Sequence, residues 1–174
     1  MRRTDIGIIT LLILSGWFNM PTLVSAQVAH SQTTAKDGPV SMHAEGTFDV
    51  KNTPLTADEA LVGTAIGRFA LDKQFQGDLE GTSKGEMLGA GNPATGTAGY
   101  VAIEQVTGTL HGRTGSFALQ HLGTMEDNKF ELTVKVVPGS GTGALSGISG
   151  TMIIVIVTGK HSYKFDYTLP ATGK

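Results

Sequence analysis

Two residues in this chain combine a reactive type with a suggestive spacing: Glu104 and His121. Tyr100, Ala102, Glu104, Val106, Gly108 and Leu110 recur at every second position, and so do Phe117, Leu119 and His121. Alternate residues of a β-strand share a face. A hairpin turning over Gly112 to Gly115 pairs Leu110 with Phe117, Gly108 with Leu119 and Val106 with His121. Glu104 is then diagonal to His121, with backbones about 7–8 Å apart and side chains within reach. A carboxylate and an imidazole on an otherwise apolar face shift each other's proton affinity, which is the condition for acid–base work. Two other readings stand beside this one: a structural ion pair, or a Glu104 turned to solvent by a register one residue different.

The remaining candidates are ligand contacts. Tyr163, Phe165 and Tyr167 alternate with Ser162, Lys164 and Asp166, giving an aromatic face with a polar back. Such a face fills a core, and two buried tyrosine hydroxyls also need partners, which a ligand could supply. Tyr100 and Gln120 flank the acid–base pair and could orient a substrate, and Phe117 would form part of an apolar wall. Arg68 and Asp72 share the polar face of their strand and read as a surface ion pair.

Other chemistries find no support. The chain has no cysteine, which removes thiol nucleophiles, cysteine-ligated zinc and iron–sulfur clusters. Its five histidines (His30, His43, His111, His121 and His161) form no closely spaced ligand pair, so neither a metal nor another cofactor is expected. Gly139-Ser140-Gly141-Thr142-Gly143 lacks the lysine of a phosphate loop and any helix behind it, so it reads as a flexible turn. The G-x-S-x-G spacing of Gly81 to Gly85 falls inside the strand read at 79–88 and so makes no strand-to-helix nucleophile elbow, and no H-E-x-x-H pair occurs.

The elements that must position these residues are short strands. From Ser41 onward, alternating polar and apolar stretches recur between glycine-rich turns, and all but two of the 24 glycines (Gly7 and Gly16) lie beyond Ala26. This pattern predicts eight strands at 42–51, 66–75, 79–88, 98–110, 116–125, 129–137, 151–157 and 162–169. Leu145 and Ile148, within the Gly/Ser-rich 138–150, are expected against the core. Eight strands with short connections argue for closure, because a barrel leaves no exposed edge. Gly46, Gly81, Gly85 and Gly108 suit the coiling of such strands. The fold class is therefore all-β: a single eight-stranded, mostly antiparallel β-barrel over 41–170.

The N-terminus carries an address. Met1-Arg2-Arg3 is basic, Ile6 to Phe18 is apolar, and Val24-Ser25-Ala26 offers small residues at a cleavage position, so 1–26 reads as a secretory signal peptide. The apolar run is shorter than the ~20 residues of a spanning helix. A periplasmic or secreted protein with no membrane insertion after cleavage is expected, with 27–40 as a flexible leader. The full chain carries a net charge of −2; losing Arg2, Arg3 and Asp5, together +1, leaves −3. That balance gives no electrostatic reason to bind nucleic acid.

Several blocks together are familiar: Leu71-Asp72-Lys73-Gln74-Phe75 followed by Gly-Asp-Leu-Glu, Ser83-Lys84-Gly85-Glu86-Met87, Gly99-Tyr100-Val101-Ala102-Ile103-Glu104, Gly115-Ser116-Phe117, Leu119-Gln120-His121 and Lys160-His161-Ser162-Tyr163. From about Gly46 to Leu169 the chain resembles a bacterial domain-of-unknown-function family grouped with allene-oxide-cyclase-like β-barrels. The resemblance implies an eight-stranded barrel and no established activity. Distant barrel relatives, the allene oxide cyclases and dirigent proteins, guide cyclisation or coupling of apolar molecules without a cofactor, often as trimers; fold alone does not transfer that function.

Three functions follow as expectations. The barrel binds one small, largely apolar molecule; or it is a cofactor-independent isomerase or cyclase using Glu104 and His121; or it is a structural or interaction barrel with a filled interior. Met152 to Val157 offers six consecutive apolar side chains, three on each face. Each such side chain is worth roughly 1.5–3 kcal/mol when buried. A homo-oligomer, dimer or trimer, is expected to cover the outer three.

Overall fold

The computed structural model of the protein describes residues 39–56 and 58–171. The expected signal peptide lies outside the described residues, as does nearly all of the leader. Eight strands follow: β1 (Val40–Pro54), β2 (Gly67–Gly77), β3 (Leu79–Asn92), β4 (Thr97–Leu110), β5 (Arg113–Glu126), β6 (Lys129–Val136), β7 (Ser149–Val157) and β8 (Lys160–Leu169). Each pairs antiparallel with its chain neighbour, and β1 pairs with β8 to close the barrel. The all-β, eight-stranded reading holds, with most strands a few residues longer than the periodicity indicated.

Turn chemistry sets the register. His111 (φ 46°) and Gly112 (φ 77°) join β4 to β5, Asp127 and Asn128 join β5 to β6, and Thr158 and Gly159 join β7 to β8, all with positive φ. Two successive left-handed residues make the tight hairpin turn whose twist matches that of the strands. The wider turn expected after Leu110 is therefore corrected. Leu110 pairs with Arg113, Val106 with Phe117, Glu104 with Leu119 and Ala102 with His121. The slip is four residues, an even number, so every side chain keeps the face it was assigned.

The interior differs between its two ends. At the end bearing the β4–β5 turn, Leu79, Leu110, Phe117 and Phe165 are buried, and Leu145 and Ile148 from the β6–β7 connection plug the opening. Ser140 and Thr142 fasten this plug to β5: their side-chain oxygens accept hydrogen bonds from the backbone N–H groups of Ala118 and Ser116, at 2.9 and 3.1 Å. At the opposite end the interior is open. Between β4 and β5 the ladder is unbroken from Ala98 to Leu110. Between β6 and β7 the register rests on the single pair Lys135 and Thr151.

The apolar run of β7 divides as alternation requires. Met152 is buried inside, and Ile154 and Ile156 lie on the interior side, Ile156 remaining 57% exposed. Ile153, Val155 and Val157 point outward and are 54%, 39% and 61% exposed. The expected Arg68–Asp72 pair does not form. Arg68 reaches across to β3 and donates to both carboxylate oxygens of Glu86, at 2.8 and 3.0 Å, while Asp72 faces Lys84 at 3.5 Å. Residues four apart on a strand are too far apart to pair, whereas cross-strand neighbours are adjacent.

Candidate functional site

Four polar side chains meet inside the barrel, one from each of four consecutive strands: Lys73 (β2), Ser83 (β3), Glu104 (β4) and His121 (β5). Lys73 is paired with Ser83 across the ladder, and Gly85, two residues on, is paired with Glu104. His121 lies two residues beyond Leu119, the partner of Glu104. The four therefore form a slanting row on the inner face. Gly85 makes the row fit. A Cβ there would strike Ile103 O and would lie 2.5 Å from Glu104 Cα, so only glycine lets β4 bring its carboxylate so close to β3.

Glu104 is fully buried, and both its oxygens are occupied. Oε1 accepts from Lys73 Nζ at 2.6 Å and pairs with His121 Nε2 at 2.9 Å; Oε2 accepts from the Ser83 hydroxyl at 2.5 Å. Burial on its own pushes the carboxyl pKa up. The His121 hydrogen bond and the Lys73 charge more than offset it and hold Glu104 down at about 2. Lys73 is enclosed in turn: its ammonium sits 5.0 Å from the centroid of the Phe48 ring and 5.9 Å from that of Phe75.

Lys73 and His121 of this row form the floor of a chamber of about 190 Å³ in the open half of the barrel, with Ser83 and Glu104 behind them. Phe48, Leu71, Met87, Tyr100, Phe130 and Ile154 wall it, and His121 and Lys73 reach it from below. Met87, Tyr100 and Phe130 also border a wider vestibule of about 500 Å³ formed by the inner faces of β2 to β6 near the rim. Tyr100 stacks on Phe130, with centroids 6.4 Å apart and planes 15° apart, and its ring lies over Gly123, where a Cβ would occupy the same space. Burial, with the negative charge of Glu104 as a second cause, raises the Tyr100 phenol, so its hydroxyl keeps its proton.

Of the candidates read from sequence, Glu104, His121 and Tyr100 come together. Phe117 does not join them. It stacks on Phe165 in the packed half, with centroids 5.7 Å apart. Tyr163 and Tyr167 lie there too, and protein groups satisfy both hydroxyls. Tyr163 Oη accepts from the Leu79 N–H at 2.9 Å, and Tyr167 Oη is 2.8 Å from His111 Nδ1. Gln120 is exposed on the outer face, since alternation sets it opposite to His121. Lys73 and Ser83 were missed as site residues. Lys73 falls on the Leu71–Phe75 face, where a charge must find a partner, and that was the signal available. Among the described residues no group of three His, Asp or Glu is arranged to hold a metal ion.

Comparison with known proteins gives a consistent picture. The profile of a family described as "Protein of unknown function (DUF3224)" matches residues 44–167. A crystal structure of a protein of unknown function from the DUF3224 family of Shewanella oneidensis MR-1 is similar at 51% sequence identity. The match covers 76% of this chain and 100% of that one, with a TM-score of 0.68. No curated protein matches the chain.

Proposed function

Since the chain belongs to the DUF3224 family, whose description names no activity, we propose from its own interior that it binds one small, largely apolar molecule in the open half of the barrel. The observation that carries this reading is the asymmetry of the interior: side chains fill one half, and the other holds an apolar chamber with a polar floor and a broad mouth. A barrel whose role lay only on its surface would gain stability by filling both halves. Small-molecule sites combine apolar walls with a few fixed polar groups in this way. The export signal read in 1–26 supports a periplasmic or secreted place of action. Native mass spectrometry of the protein purified from its source tests the binding, and retained small-molecule mass is the expected result. Ile154→Trp, which fills the chamber, should abolish it. Purified protein that carries nothing, and binds no apolar fragment at Met87 by methyl NMR, would refute the reading.

A second reading has its own observation. An ionised Glu104 holds His121 by one nitrogen, which leaves the other free to take a proton from a bound molecule. In that isomerase or cyclase reading His121 is the base, and Glu104 is a positioning residue that touches no substrate. Deuterium uptake from D2O into the bound molecule, lost in His121→Phe, tests it.

A further inference from the structure

We infer that the deep polar contact in the chamber selects a ligand that donates a hydrogen bond, so that the bound molecule is an apolar ring or chain bearing a hydroxyl, and not an ether, a ketone or a bare hydrocarbon. The inference rests on the binding function proposed above and specifies its ligand class.

The argument follows the protons. Glu104 Oε1 is 2.6 Å from the Lys73 ammonium, which can only donate, and Oε2 receives the Ser83 hydroxyl. A carboxyl group so occupied is ionised and accepts only. The His121 nitrogen 2.9 Å from Oε1 is Nε2, so Nε2 carries the hydrogen of that bond. In a neutral imidazole with hydrogen on Nε2, Nδ1 is a bare acceptor.

The free nitrogen belongs to a ring that lines the chamber. The His121 side chain is only 3% exposed, and it lines the cavity. Nδ1 has no hydrogen-bond partner among the described residues. None of their side-chain nitrogen or oxygen atoms is buried without one. The little surface that the ring retains therefore includes Nδ1, on the inner face of β5. Lys73 does not compete for this role: Glu104 takes its charge, and the rings of Phe48 and Phe75 cover it. Tyr100, Asn52 and His161, which also line the chamber, each carry groups that donate or accept and so do not discriminate. A ligand hydroxyl satisfies Nδ1. An ether or carbonyl oxygen there would set acceptor against acceptor and leave both unpaired in a dry site, a loss of about tenfold or more in affinity.

The probes are 4-ethylphenol, its methyl ether and ethylbenzene, titrated calorimetrically into the folded protein. The expected result is that 4-ethylphenol binds about tenfold more tightly than the other two, and that His121→Phe abolishes this preference while ethylbenzene still binds. Equal binding of all three would overturn the donor requirement and leave the cavity function standing. Binding of none would overturn both. Long-range proton–nitrogen NMR of the unsubstituted protein reads the tautomer directly, should His121→Phe not fold. Hydrogen on Nε2 and a bare Nδ1 are expected, and hydrogen on Nδ1, in a neutral or a doubly protonated ring, would overturn the inference.

Discussion

Glu104 ties the stability of the barrel to its chemistry. Its folded-state pKa of about 2 lies below the ordinary 4.5. A carboxyl so depressed adds stability that is fully present above the unfolded value and is lost as pH falls through the folded one. Chemical denaturation should therefore show stability declining by a few kcal/mol between about pH 4.5 and pH 2, and Glu104→Gln should flatten that decline. The same substitution leaves the Lys73 ammonium buried without a counter-charge, so at pH 7 it should cost about 3–5 kcal/mol. An E104Q variant as stable as the parent at pH 7 would contradict the buried pair. Glu104 and His121 were legible in the sequence as one face, because an even register slip preserves faces. Lys73 was equally legible by alternation, on the face of Leu71 and Phe75, but a charge there names no partner until the register is known. Whether Tyr163 and Tyr167 line a cavity was not legible. That depends on which half of the barrel the Leu145–Ile148 plug fills, a matter of three-dimensional packing and not of period.

At the scale of the strand, the site depends on missing side chains as much as on present ones. Gly85 admits Glu104 and Gly123 admits the Tyr100 ring, each directly across the ladder from the residue it accommodates. Gly123→Ala should displace Tyr100 from its stack on Phe130, loosen the partition between chamber and vestibule, and cost roughly 1–3 kcal/mol through overpacking. A crystal structure of G123A with Tyr100 unmoved would contradict this. All eight strands were visible as alternation bounded by turn residues. The β4–β5 register was not, because a His-Gly turn is a weaker signal than Asn-Gly, and the glycine at 115 competes with the one at 112 as the turning point. The polar partners of Arg68 and Asp72 were hidden for the same reason: cross-strand neighbours emerge only once the register is known.

The molecule as a whole leaves apolar surface on its outer wall. Ile153, Val155 and Val157 are uncovered among the described residues, and three such side chains in water forgo several kcal/mol. We expect a second copy of the chain to cover them. Sedimentation at micromolar concentration should give a dimer or trimer, and Val155→Lys should reduce it to monomer; a monomeric parent protein would defeat the expectation. The join between β6 and β7, held by one residue pair, has a consequence in time. Leu132 and Ile154 lie on either side of it, and both wall the chamber. Parting these two strands breaks few hydrogen bonds, so we expect this seam to act as a side door that opens by local fluctuation and not by global unfolding. Amide hydrogens of β6 and β7 that point across this seam should exchange with solvent faster than those between β4 and β5, and an occupant of the chamber should slow the seam amides selectively. How long a molecule stays inside would then be set by how often this one seam breathes, whatever the tightness of its contacts on the floor.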